Sequence, residues 1–191
     1  MLEFLNTIDT QLFLFLNGLH NPFFDGIMAF ITRKETWYPL YLVILVYMMW
    51  KYKKRSLIIL PAVILLIVLS DQISVHWFKN VFKRLRPSRV EELQSIIHLV
   101  GKKGGKYGFV SSHAANSFGA ATFLALLFRN RIFTISILIW AAVVSYSRIY
   151  VGVHYPGDIL FGGLLGIGLG FLVTKLREWA ETKLLRPEQQ E

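Results

Sequence analysis

The chain has no cysteine in its 191 residues. Disulfides, thiolate metal sites and a cysteine nucleophile are therefore excluded. Acidic residues are scarce: 12 Asp and Glu stand against 21 Lys and Arg, a formal net charge of +9. Such an excess points to nucleic acid, a membrane surface or an anionic substrate. No internal repeat is visible, which suits one domain over residues 1–191. The opening MLEFLNTIDTQLFLFLNGLH carries Glu3 and Asp9 and lacks the basic start of a cleaved signal peptide. It reads as an interfacial amphipathic helix over 1–20, or as the start of a first span continuing through 22–32.

What the chain has in quantity is apolar surface. Over half of it, 54%, is hydrophobic, and the mean hydropathy is +0.46. Residues 56–70 read SLIILPAVILLIVLS. Residues 36–50, 114–128, 132–146 and 159–174 are similar. With their flanks these runs approach the roughly 20 residues that cross a bilayer. The expected fold is an all-α, polytopic membrane bundle of about six helices. Its segments are an N-terminal helix with 22–32, then 36–50, 56–77, 113–129, 131–147 and 157–176. A membrane protein of this kind leaves nucleic acid as an unlikely partner, and no obligate protein partner is implied.

Charge sorts the loops. KYKKR at 51–55, Arg129 with Arg131, and Lys175, Arg177, Lys183 and Arg186 fall on one face of such a bundle. The positive-inside rule makes that face cytoplasmic. The long loop 78–112 and the turn 148–156 then share the other, extracytoplasmic face. Loop 78–112 is itself basic, which argues for the reverse orientation unless its charges bind an anion. Within it, GKKGGK at 101–106 reads as a flexible, solvated loop because of its three glycines. In the last segment Gly162, Gly166 and Gly170 lie four apart, a spacing that lets helices approach closely in lipid.

Three polar stretches converge on the loop face: KNVFKRLRPSR from 79, VSSHAANS from 110 and SRIYVGVHYPGD from 147. Lys79, Arg86 and Arg148 supply cations suited to phosphate oxygens. Ser111 and Ser112 precede a helix whose first amides and dipole favour an anion. His113, His154 and Asp158 supply two imidazoles and a carboxylate. A zinc site is the competing use of these three, but three neighbouring cations would repel a dication. A neutral imidazole can attack phosphorus while a carboxylate holds its other nitrogen, and a second imidazole can protonate the leaving oxygen. Pro156 and Gly157 place His154 in a loop and Asp158 in a first helical turn. His20, His76 and His98 lack such partners and read as structural. Asp25 and Asp71 lie near span ends, where a helix-end or packing role is at least as good a reading.

At these residues the chain resembles the type 2 phosphatidic acid phosphatase superfamily of membrane lipid phosphatases. That family carries K-x6-R-P, P-S-G-H and S-R-x5-H-x3-D. Lys79, Arg86 and Pro87 meet the first motif; Ser147, Arg148, His154 and Asp158 meet the third. The second departs: Val110 stands for its proline and Ser112 for its glycine, while Ser111 and His113 remain. The resemblance implies that His154 is the nucleophile, Asp158 orients it and His113 is the general acid and then base. It implies that Lys79, Arg86, Ser111, Ser112 and Arg148 bind phosphate, with no metal and no cofactor. The short chain and NGLHNPFFDGIM look like the bacterial branch of the inner membrane. Undecaprenyl diphosphate is the first substrate expected. Lipid A phosphate, at its 1- or 4'-position, follows closely, then phosphatidylglycerophosphate and phosphatidate. A lipid phosphotransferase and a non-catalytic flippase or scaffold are the rival classes.

Overall fold

The computed structural model describes residues 2–185. Arg186, counted above with the basic tail, lies outside them. The described residues are helical, with one isolated antiparallel bridge between Leu85 and Tyr107. The helices are α1 (Leu2–Gly18), α2 (Pro22–Ile31), α3 (Tyr38–Tyr52), α4 (Ser56–Gln72), α5 (Ser112–Phe128), α6 (Arg131–Tyr150) and α7 (Pro156–Leu184). α4 runs on through a π-helical turn, Ile73–Lys79, and a last short turn, Asn80–Phe82.

Among the described residues, three stretches are long and apolar enough to cross a membrane: Lys34–Phe82, Arg131–Tyr150 and Pro156–Leu184. The first is two passes. Lys53 leaves helical geometry at φ 46 and ψ −120, so the KYKKR segment is the turn between α3 and α4. The 20 residues of α6, at about 1.5 Å each, reach about 30 Å, the thickness of a hydrocarbon core.

α5 is the central helix. Its small residues receive the glycine stripe of α7. A Cβ on Gly166 would collide with the carbonyl of Ala115, and one on Gly170 would lie 2.8 Å from that of Gly119. Close packing, as the spacing of these glycines suggests, is therefore their use. α4 closes the other side: Ile59 and Leu66 bury with Phe123 and Leu124 of α5 and Val173 of α7. This tight α5–α7 seam fixes how the N-terminus of α5 meets the N-terminus of α7, and the site is built there.

α1 and α2 lie across that same end. Asn17 donates to the carbonyls of His98, Ile149 and Tyr150. Phe13 packs with Leu93, Ile149 and Tyr155. Asn21 caps α2 by accepting the Phe24 amide, and Pro22 fills the first helical position. The outer stripe of α1, Phe4, Ile8, Leu12 and Phe15, stays exposed, as does Leu19 just after it. Glu3, Asn6, Thr7 and Thr10 form a polar stripe on another side.

The turn at 51–55, Arg129 and Arg131, and the end of α7 sit at the opposite end of the bundle. Loop 83–111 caps the end that carries the site. GKKGGK is better tied than its glycines suggest. The carbonyls of Lys103, Gly104 and Lys106 accept from Ser88, Arg89 and the Arg86 amide. Lys103 also donates to Gln94. The stretch is exposed as expected of a solvated loop, and serine and arginine side chains from the preceding turn supply partners for its carbonyls.

Candidate active site

Every residue singled out in the three motifs comes to one end of the bundle. His154 lies in the loop between α6 and α7, and Asp158 in the first turn of α7. Pro156 starts the helix because its missing N–H is no loss there. The His154 Nδ1 stands 3.1 Å from Asp158 Oδ2, which also accepts the Tyr155 amide at 3.2 Å. Both side chains are buried, at 1% and 0% exposure. Burial holds His154 well below the ordinary imidazole value, and the cations Arg86, Arg148 and Lys79 add to this. The ring is therefore neutral, and a neutral ring has a lone pair to give. Its Nε2 has no protein partner among the described residues.

Cations surround this pair. Lys79, at the end of the π-helical turn, donates to Ser112 Oγ at 2.6 Å. Arg86 is buried and donates to the carbonyls of Tyr107 and Val153. Arg148, in the last turn of α6, donates from Nη1 to Thr32 Oγ1 at 2.6 Å. Its Nε is buried and has no partner among the described residues. An unspent buried donor on a cation is a standing invitation to an anion.

The start of α5 differs in detail from the expectation. The helix begins at Ser112, one residue early, and Ser111 is its N-cap. The Ser111 hydroxyl accepts the Ala114 amide at 3.4 Å, and its own N–H goes to the Asp158 carbonyl at 3.0 Å. Ser111 carbonyl takes the Ala115 amide. Ser111 therefore joins α5 to α7, and of its donors only the hydroxyl hydrogen is left for an anion. The amides of Ser112 and His113, which have no intrahelical acceptor, are the ones left for an outside ligand.

Two residues were given no part in the site by the sequence. Gly108 is buried against the dyad: a Cβ there would lie 2.8 Å from Asp158 Oδ2 and 3.6 Å from His154 Nδ1. Arg84 pairs with Asp158 Oδ1 at 3.1 Å. No spacing rule pointed to either. His20 and His98, two of the three histidines read as structural, lie in a packing cluster. His98 pairs with Asp25 at 2.8 Å and stacks on His20, and Tyr150 donates to the same carboxylate. This cluster fastens α2 to α6. Among the described residues no three His, Cys, Asp or Glu side chains gather as a metal-ligand set.

The PAP2 superfamily model matches residues 60–181, the span that holds all three motifs. The chain belongs to that superfamily. A lipid A 4'-phosphatase of Bacteroides thetaiotaomicron is 44% identical to this PAP2 protein over 169 residues, 87% of this chain and 75% of that one. An undecaprenyl-diphosphatase of Sulfolobus acidocaldarius is 30% identical over 179 residues, 92% of this chain and 81% of that one. The crystal structure of a transmembrane PAP2-type phosphatidylglycerolphosphate phosphatase from Bacillus subtilis superposes with a TM-score of 0.71 at 22% identity. It covers 92% of this chain and 87% of its own. That likeness establishes the helical membrane fold. This PAP2 chain is an integral membrane phosphohydrolase.

Proposed function

We propose that the protein hydrolyses a phosphate from a lipid headgroup through a phosphohistidine on His154, and that its substrate is of the lipid A class, at the 4'-phosphate. The observation that carries the chemistry is the buried His154–Asp158 pair set among Lys79, Arg86 and Arg148. Neutral Nε2 attacks phosphorus as the phosphorus–oxygen bond to the lipid breaks. Asp158 holds the Nδ1–H and steadies the charge that develops on the ring. His113 gives its proton to the leaving lipid oxygen. It then takes a proton from water, which attacks the phosphohistidine and releases inorganic phosphate. Lys79, Arg86, Arg148, the Ser111 and Ser112 hydroxyls and the Ser112 and His113 amides hold the phosphate oxygens. No metal enters these steps.

The greater identity to the lipid A 4'-phosphatase, 44% against 30% for the undecaprenyl-diphosphatase, supports the first lipid over the second. The short chain and NGLHNPFFDGIM put undecaprenyl diphosphate first in the sequence, while the motifs describe the phosphate and not the lipid behind it. The protein is placed in the bacterial inner membrane with its site on the extracytoplasmic face. The basic turns at the opposite end support that orientation.

The test is a phosphate-release panel in detergent with EDTA present. Its substrates are bis-phosphorylated lipid A, undecaprenyl diphosphate, phosphatidate and phosphatidylglycerophosphate. Lipid A is expected to lead in kcat/KM by about tenfold or more, a difference of about 1.4 kcal/mol in transition-state binding. Mass analysis of the lipid A product locates the vacated position. Preference for undecaprenyl diphosphate would overturn the substrate. Strict need of an added divalent ion would overturn the mechanism. Label appearing on a second lipid in place of free phosphate would make the protein a phosphotransferase.

A further inference from the structure

Asp158 has two oxygens, and both are committed. Oδ2 faces His154 and the Tyr155 amide. Oδ1 accepts from Arg84 Nη1 at 3.1 Å. Arg86 is close by, but its guanidinium donates to the Tyr107 and Val153 carbonyls. Arg84 is the cation that meets the carboxylate directly.

Arg84 is itself held on several sides. Its Nη1 is 2.7 Å from Asp9 Oδ2 and its Nη2 is 2.8 Å from Asn6 Oδ1, both on α1. Its guanidinium lies over the Tyr155 ring, 4.0 Å from the centroid. Its carbonyl accepts the Gly108 amide, so its backbone is fixed against the dyad too. The other oxygen of Asp9 accepts the Gly157 amide at 2.7 Å, in the first turn of α7. α1 is thus joined through one aspartate to the catalytic turn and to the arginine that faces it.

We propose that Arg84 is a positioning residue that keeps Asp158 aimed at His154, and that Asp9 of α1 holds Arg84 in place. The proposal rests on the phosphatase reading for its kinetics but not for its geometry. A buried carboxylate stripped of its cation takes up a proton. It then donates where it had accepted. The His154 proton moves to Nε2, the atom that must attack, and the lone pair is lost from the place where it is needed. Lysine at 84 would restore a charge without the fork that spans Asp158, Asp9 and Asn6.

Two readouts test this on the full-length protein in detergent. The first is steady-state hydrolysis of the lead substrate. Arg84→Gln should lower kcat about 10- to 100-fold, as expected for loss of a charged hydrogen bond, with little change in KM. Arg84→Lys should recover part of it. Asp9→Asn should cause a smaller fall and add little on top of Arg84→Gln. The second is the nitrogen spectrum of 15N-histidine-labelled protein, with His154 assigned by its loss in His154→Gln. Wild type should show a protonated Nδ1 and a bare Nε2; Arg84→Gln should move the proton to Nε2. An unchanged kcat, or an unchanged tautomer in Arg84→Gln, would overturn the proposal. The tautomer is read without turnover, so it decides on Arg84 even if no lipid phosphate is hydrolysed. Hydrolysis failing with the tautomer shift present would count against the phosphatase reading alone.

Discussion

Replacing His154 with glutamine should lower phosphate release by about 10⁴-fold or more, as expected for removal of a nucleophile that acts as part of a unit. Glutamine is chosen over alanine because the site is buried, at 1% exposure. A smaller side chain would leave a cavity, and the loss could then be blamed on the fold. Glutamine can still donate to Asp158, so the carboxylate keeps a partner. It has no lone pair that can form a stable bond to phosphorus. The variant should reach the membrane in normal amount and elute from a sizing column as wild type does. Turnover within tenfold of wild type would rule out His154 as the nucleophile.

The second large effect is expected at Gly108, a residue outside the motifs. Its amide donates to the Arg84 carbonyl at 2.9 Å. A Cβ would meet Asp158 Oδ2 at 2.8 Å, Arg86 Cγ at 3.2 Å and His154 Nδ1 at 3.6 Å. The first of these distances is too short for any real Cβ contact. The carboxylate sits in the first turn of α7, pinned by the Tyr155 amide and by Arg84, so it has little freedom to withdraw. Something in the dyad must shift. A displacement of about 1 Å in such a site costs about 10²-fold in rate, and Gly108→Ala should lower kcat/KM by about that much. The stability cost of one extra methyl is smaller, about 1–3 kcal/mol. Gly105→Ala is the control: it lies in the same loop, and a Cβ there meets nothing within 4 Å. Kinetics of Gly108→Ala that match those of Gly105→Ala would show that the dyad is not packed as described.

The contrast between these two residues shows what a sequence of this kind reveals. The spans were legible because lipid demands long apolar runs, and such runs survive any detail of packing. The dyad was legible because His154 and Asp158 flank Pro156–Gly157, a pair that sets a loop against a helix start. The glycine stripe of α7 was legible from its spacing. Gly108 and Arg84 were not. Their part depends on a loop of some thirty residues folding back, with Leu85 against Tyr107, and no periodicity encodes that register. Ser111 was singled out for its hydroxyl. That its amide is spent on the α5–α7 junction, and its hydroxyl oxygen on the α5 cap, only the assembled bundle shows. The N-terminal helix was ambiguous for a similar reason. An apolar stripe suits a span or an interface equally, and its polar contacts to Gly157, Ile149 and Tyr150 arise only in the assembled bundle. The lipid behind the phosphate was the least legible feature, since the motifs bind only the group that is transferred.

The central claim is that phosphate passes through His154. The direct measurement is to mix the wild-type protein with lipid substrate labelled in the phosphate, quench within one turnover under alkaline conditions that preserve phosphohistidine, and map the label by mass spectrometry of the peptides that carry His113 and His154. The account predicts label on His154 in the wild type, more of it when His113→Gln slows the attack of water, and none in His154→Gln. Turnover with no labelled histidine, or label carried on His113, would contradict it.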